Sequence, residues 1–359
     1  MKTRERDSNL ELLRIISMLL ILIHHFIVHV FYPGLFSQDG VIDGYRIVCV
    51  VINGFAIVGV NCFILISGYY GIRFKLRALF NLYLICAFYA LIAIVIKVFW
   101  VNEQFGRSLL YFILLPFSHS EWWFIKCYVA LYLISPVLNA AADKLSKNEF
   151  VCSLVLLAVL NVYLGYYWHE HNPNGYNLLQ FIFVYLIGSY LRRYPPKRLD
   201  RKRAMLLYIS CAVVWGFFTI LNTKWRVPHW GALYYNNPLV LLASLGLFAF
   251  MSKLKIHSRL INMIASSVLA AYLIQDIQGG LIYHCADIYN KMVLYPSNSV
   301  LQKTALMVTF ILLGSVSLLG LSFIIDRIRL LMMRPVYGLY GFISKRLGSW
   351  FNRISLNER

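Results

Sequence analysis

The sequence predicts an all-α polytopic integral membrane protein with about ten transmembrane helices and both termini cytoplasmic. Two observations carry that reading. Hydrophobic residues make up 60% of the 359-residue chain and charged residues only 14%, with a mean hydropathy of +0.66. Soluble domains run near half apolar and a quarter charged. The apolar residues also fall into ten stretches, each close to the roughly 20 residues a helix needs to cross hydrocarbon. They lie near residues 10–31, 47–68, 79–101, 121–139, 150–168, 176–191, 204–221, 236–252, 260–283 and 303–325. The sixth and eighth are short, and "SLLYFILLPF" at 108–117 reads as a re-entrant or interfacial piece. The first stretch is too long for a signal h-region and lacks a small-residue cleavage site, so it reads as a retained helix. A ten-helix membrane domain over residues 1–330 and a basic amphipathic cytoplasmic tail over 331–359 follow.

Charge sets the orientation. With the N-terminus inside, alternating loops place 25 of the 34 Lys and Arg residues in cytoplasmic segments and six in outer ones. That bias is the positive-inside pattern and fits an even number of spans. It also accounts for the net charge of +19 without a nucleic-acid partner. The seven cysteines form no CxxC pair, so neither a disulfide framework nor a zinc site is indicated, and they read as small packing residues. The "HEH" at 169–171 has no supporting ligand cluster, and no metal is assigned.

The first apolar stretch carries Glu11, Arg14, His24, His25 and His29. At about 100° per residue Arg14 and His25, eleven apart, are nearly eclipsed, whereas His24 points roughly 80° from Arg14. Glu11, Arg14, His25 and His29 therefore share one stripe, with Arg14 near the cytoplasmic surface and His25 about 16 Å deeper. Such a stripe must face protein or water rather than lipid. Arg14 alone would read as a snorkelling residue paired with Glu11 at i,i+3. His25 has no such escape, and histidine is the side chain suited to take and return a proton near neutral pH.

A basic residue followed eleven positions later by His in the first span resembles the membrane-bound acyltransferase family 3, the O-acyltransferases that modify bacterial surface polysaccharides. Three more stretches are similar to the family's motifs. "NCFILISGYYGIRFKLRALFNLY" (61–83) resembles a span ending in Ser-Gly-aromatic before an arginine-rich loop. "SEWWFIKCYVALYLISPVLN" (120–139) is similar to its Trp-Phe…Tyr…Leu-Tyr…Ser-Pro span. "ASSVLAAYLIQDIQ" (265–278) resembles its late Ser…Tyr-Leu-Ile-His-Asp span. Two positions depart from the pattern. Gln275 stands where the late motif usually has His, and the basic loop is spaced as Arg73, Lys75 and Arg77.

The resemblance implies a multi-pass protein of the bacterial cytoplasmic (inner) membrane that uses acyl-CoA, usually acetyl-CoA, as donor substrate, with no permanently bound cofactor. The acceptor is a sugar hydroxyl of a polysaccharide or lipid-linked glycan presented outside. Arg73, Lys75 and Arg77 would meet the CoA phosphates, or serve only as positive-inside anchors; Arg14 would bind phosphate or pantetheine. His25 would act as general base on the acceptor hydroxyl, or carry the acyl group as an acyl-histidine. Glu11 would hold Arg14, and His24 is the next candidate for base. Trp122 and Trp123 read equally as a sugar-stacking platform or as an interfacial aromatic belt. Glu121, Gln275 and the intramembrane carboxylate Asp276 are candidate partners for sugar hydroxyls. The competing class is a proton-coupled transporter or flippase, in which the same stripe would relay protons; no internal repeat of the transporter kind is present.

Overall fold

Apolar stretches become helices because hydrocarbon offers the backbone no hydrogen-bond partner, so each segment must satisfy its own amides. The computed structural model describes residues 8–32, 43–99, 106–118, 122–225, 233–275, 288, 291 and 299–338. The helices are α1 (Ser8–Phe26, continued as a π-helix over Ile27–Phe31), α2 (Gly44–Ala56), α3 (Gly59–Tyr70), α4 (Leu76–Phe99), α5 (Arg107–Leu114) and α6 (Trp123–Lys144). They continue with α7 (Lys147–Ala158, continued as a π-helix over Val159–Tyr167), α8 (Leu178–Arg193), α9 (Arg201–Trp225), α10 (Pro238–Ser252), α11 (Arg259–Ala265), α12 (Val268–Gln275) and α13 (Val300–Met332). The described residues contain no strand.

Among the described residues seven helices, counting α2 with α3 as one, are long and apolar enough to cross a membrane; Pro238–Ser252 and Arg259–Gln275 are shorter apolar helices. α8 occupies the predicted sixth span, and the short α5 lies where the interfacial piece was expected. Several predicted spans differ in detail. The second is interrupted at Ile57 and Val58, and the ninth at Ser266 and Ser267, where single turns replace helix. The last helix is longer than predicted and runs through residue 330 to Met332, so the proposed boundary between membrane domain and tail falls inside α13. Residues 339–359 of the tail lie outside the described residues. Cys49, Cys62, Cys86 and Cys211 are buried packing residues as expected, but Cys152 is exposed.

Polar contacts gather the basic segments at one end of the bundle. The Ser258 amide donates to Ser8 Oγ at 3.0 Å, and Asn9 Nδ2 to the Met251 carbonyl at 3.0 Å. Arg192 Nη1 donates to the Tyr69 carbonyl at 3.2 Å, Arg193 pairs with Asp143, and Lys253 donates to the Leu199 carbonyl. The segments rich in Lys and Arg thus share an end, here called the basic end. Below it lies a buried ion pair on α13, in which Arg329 Nε donates to Asp326 Oδ1 at 2.7 Å and the Tyr89 hydroxyl of α4 donates to the same oxygen at 3.2 Å.

α3 and α8 cross backbone to backbone at Gly68 and Gly188. A Cβ on Gly68 would stand 2.7 Å from the Tyr185 carbonyl carbon, and one on Gly188 2.9 Å from the Tyr69 amide nitrogen. Gly188 and the Gly68 of "ISGYYG" are small because two helices touch there.

Candidate active site

The site is built along α1. Leu10, Leu13, Ser17 and Leu22 are buried, which turns the Arg14 stripe toward a gap between α3, α6 and α11–α12. Arg14 Nη1 donates to both carboxylate oxygens of buried Glu11 at 2.8 Å, and its guanidinium lies 5.9 Å from the centre of the Tyr70 ring. From there a cavity of about 280 Å³ follows Arg14, Met18 and Ile21 up α1, with Phe63 and Ser67 of α3, Tyr128 of α6, Ser266 of the α11–α12 turn and Tyr272 of α12 around it. Positions 14, 18 and 21 are one helical stripe, and its next rung, one turn above Ile21, is His25.

α1 turns from α- to π-helix just past His25, at Ile27–Phe31; the Tyr32 amide closes the i→i+5 pattern on the Ile27 carbonyl at 2.7 Å. Such segments recur at functional sites. Three imidazoles cluster here. The His24 and His25 ring centres are 5.7 Å apart, and those of His25 and His29 5.4 Å apart, edge to face. His24 faces away from the stripe, as its helical phase requires, and is fixed in the core: its Nδ1 lies 2.6 Å from Asn53 Oδ1 on α2. His25 is half-buried and His29 exposed.

α1 and α11–α12 start side by side at Ser8 and Ser258 and pack along each other. His25 and Gln275 each stand 17 positions past that bonded pair of serines. Gln275 is buried, and neither side-chain Oε1 nor Nε2 has a hydrogen-bond partner among the described residues. An unmet buried amide is costly, and it continues the Val268–Tyr272 stripe that lines the cavity. Asp276 and Glu121, both proposed to bind sugar hydroxyls, lie outside the described residues.

The two tryptophans separate. Trp122 is 0% exposed and packs against Phe112, with ring centres 5.2 Å apart. Its faces are covered, so the proposed sugar-stacking role does not hold for Trp122. Trp123 is half-buried, stacks on Tyr235 at 5.7 Å and meets Tyr176 at 4.7 Å. Tyr235 in turn lies 6.4 Å from His24, centre to centre. A buried amide network holds this cluster. Asn61 Nδ2 and Gln180 Nε2 both donate to the Tyr235 carbonyl, at 3.0 and 2.9 Å. Gln180 also donates to Asn61 Oδ1 at 2.8 Å and accepts from Asn161 Nδ2 at 2.6 Å; Asn172 donates to Asn161. Asn236 Nδ2 adds bonds to the Asn161 and Asn172 carbonyls at 3.0 and 2.6 Å. Sequence reasoning missed these residues. Their signal was present: Asn53, Asn61, Asn161 and Gln180 are amides inside apolar stretches, where interhelical hydrogen bonding is the usual reason.

At the basic end, the loop after α3 is strapped to α6 and α8. The Tyr132 hydroxyl accepts from the Lys75 amide at 2.8 Å and lies 3.1 Å from the Lys75 carbonyl. The Tyr185 hydroxyl accepts from the Ile72 amide at 2.9 Å and donates to Asn139 Oδ1 at 2.7 Å, while Asn139 Nδ2 donates to the Ile72 carbonyl at 2.8 Å. Gly71 permits the turn with a φ of 73°. Tyr132 and Asn139 thus have a function inside "YLISPVLN": they hold the basic loop. Lys75 and Arg77 border a cleft of about 410 Å³ shared with Tyr337, whereas Arg73 is exposed and does not line it.

The arrangement is a passage along one stripe of α1 that starts at Arg14 and ends one helical turn short of His25. A family model described as an acyltransferase domain matches residues 7–327, nearly the whole chain. No curated protein and no solved structure matches the chain. With its apolar helices and a match over that length, the chain belongs to the membrane acyltransferase family 3 and is an acyltransferase.

Proposed function

We propose that this acyltransferase moves an acyl group, acetyl in the first instance, from cytoplasmic acyl-CoA to a sugar hydroxyl of a cell-surface polysaccharide or its lipid-linked precursor, within the bacterial inner membrane. The observation that carries the reading is the cavity that starts at Arg14 and stops one helical turn short of His25. The nucleotide of the donor stays at the basic end, near Lys75 and Arg77. The pantetheine arm runs past Ser67 and Tyr128 to bring the thioester beneath His25. A sugar hydroxyl arriving from the Trp123–Tyr235 side attacks the thioester carbonyl. Neutral His25 takes the hydroxyl proton, the carbon–sulfur bond breaks, and the thiolate of CoA leaves with a proton returned by the imidazolium. Gln275, with amide oxygen and nitrogen both unmet among the described residues, offers a donor to the developing oxyanion or a hydrogen bond to the sugar. His24, pinned by Asn53, holds the adjoining wall. Arg14 is charge-compensated by Glu11 and positions the arm rather than anchoring a free anion.

The test uses purified protein in lipid with radiolabelled acetyl-CoA and a membrane glycan extract, wild type beside His25→Ala. Label entering glycan with wild type alone is the expected result. Equal labelling by His25→Ala would remove His25 from the chemistry. Labelling by neither, with succinyl-CoA giving the same result, would refute the donor.

A further inference from the structure

A second cation is bonded to the wall of the passage, and it comes from the last helix. Arg327 of α13 reaches across to the interruption between α11 and α12. Its Nη2 donates to the Met263 carbonyl at 2.9 Å, to Ser266 Oγ at 3.0 Å and to Ser267 Oγ at 3.0 Å. Its guanidinium lies 4.7 Å from the centre of the Phe323 ring. Ser266 is itself part of the cavity wall, as is Arg14. Counted from Ser8 and Ser258, which are bonded to each other, Arg14 and Ser266 are at closely similar depths.

The two guanidiniums differ in charge balance. Arg14 is engaged by both oxygens of buried Glu11. Arg327 is held only by neutral groups, two hydroxyls and a carbonyl, and its buried Nε has no hydrogen-bond partner among the described residues. The carboxylate beside it in sequence, Asp326, is committed to Arg329 and Tyr89. Among the described residues no carboxylate pairs with Arg327. A guanidinium that is oriented, partly shielded and not neutralised is a site for an oxyanion, above all a phosphate that matches its fork. The turn at Ser266 and Ser267 presents both hydroxyls to one arginine.

We propose that Arg327, aimed by Ser266 and Ser267, binds the diphosphate of the acyl-CoA donor beside the Ser266 wall of the passage. This rests on the acyl-CoA reading of the same site. Arg327 is a binding residue here and takes no part in the chemistry at His25.

Full-length protein in lipid nanodiscs is titrated calorimetrically with acetyl-CoA and, separately, with acetyl-pantetheine, which lacks the diphosphate. Arg327→Gln is expected to weaken acetyl-CoA by about 10- to 100-fold, the span of a charge-assisted hydrogen-bonded contact, and to leave acetyl-pantetheine within about twofold. Arg327→Lys, which keeps the charge and loses the fork, should fall between. Ser267→Ala, away from the cavity wall, keeps the cation and loosens its aim; it should weaken acetyl-CoA several-fold with acetyl-pantetheine unchanged, and it carries the test if Arg327→Gln does not fold. Unchanged acetyl-CoA affinity in Arg327→Gln, the result expected if the arginine meets a lipid phosphate instead, overturns the proposal. Equal weakening of both ligands also overturns it, because a merely structural arginine would not distinguish them. If wild type binds neither ligand, the acyl-CoA reading itself fails, an outcome separable from the other two.

Discussion

Replacing Gly68 by Ala tests whether the contact between α3 and α8 holds the site together. The added Cβ would stand 2.7 Å from the Tyr185 carbonyl carbon and 2.9 Å from its Cα. Ordinary van der Waals contact begins at 3.4 Å, so clearing the carbonyl carbon alone parts the helices by about 0.7 Å, and the Tyr185 carbonyl oxygen, nearer still, demands more. The obstacle is backbone, not a side chain that can rotate away. Overpacking a tight contact costs about 1–3 kcal/mol, and a backbone obstacle puts this case at about 3 kcal/mol, roughly a hundredfold in the folding equilibrium. The damage also reaches the site: α3 carries Phe63 and Ser67 of the cavity wall and leads into the basic loop. The assay is thermal unfolding of the detergent-solubilised protein followed by size-exclusion fluorescence, beside Gly320→Ala. Gly320 sits within α13, and a Cβ there meets nothing within 4 Å. That control should be neutral or slightly stabilising, because Ala is the better helix former by about 1 kcal/mol. Gly68→Ala should melt well below wild type and Gly320→Ala at or above it. If the two variants melt together, the backbone crossing is wrong.

Tyr132→Phe removes the hydroxyl that holds the Lys75 backbone; at about 1 kcal/mol per hydrogen bond it should raise the apparent KM for acyl-CoA roughly fivefold with kcat unchanged. A fall in kcat with KM fixed would instead tie the loop to the chemistry. Asp326→Asn strands Arg329 as a buried charge; breaking such a pair from one side costs about 3–5 kcal/mol. Unfolding should occur at a clearly lower temperature, and Asp326→Asn with Arg329→Met should recover much of the loss. No difference between single and double variants would show that the pair does not govern this end of α13.

Much of the site's skeleton was visible along the chain, because a helix converts spacing into direction. Glu11, Arg14 and His25 read as one stripe, with His24 off it, from the 3.6-residue repeat alone; in the fold that stripe lines the passage as far as Ile21 and meets His25 one turn on. The polar supports were less legible. Asn161, Asn172, Gln180 and Asn236 come from separate segments, and hydrogen bonds among them depend on distances no local pattern carries. The separation of Trp122 from Trp123 had the same origin. Neighbouring residues on a helix point about 100° apart, and only packing decided that Phe112 covers one while Tyr235 and Tyr176 meet the other.

What the sequence determined by itself is a bundle of apolar helices and which titratable side chains share one stripe of α1. Hydrocarbon forces apolar stretches into helices of a set length, and charged groups within them must face protein or water. What only the tertiary structure decided is which helices enclose the stripe. It also decided where the backbone breaks, at Ser266 and Ser267, and which of two arginines is paired with a carboxylate among the described residues. Arg14 and Arg327 are indistinguishable as letters. Glu11 sits one turn below Arg14, while Asp326, next to Arg327, is drawn off by Arg329. Charge balance in a low-dielectric interior depends on separations of a few ångströms, and those are set by packing.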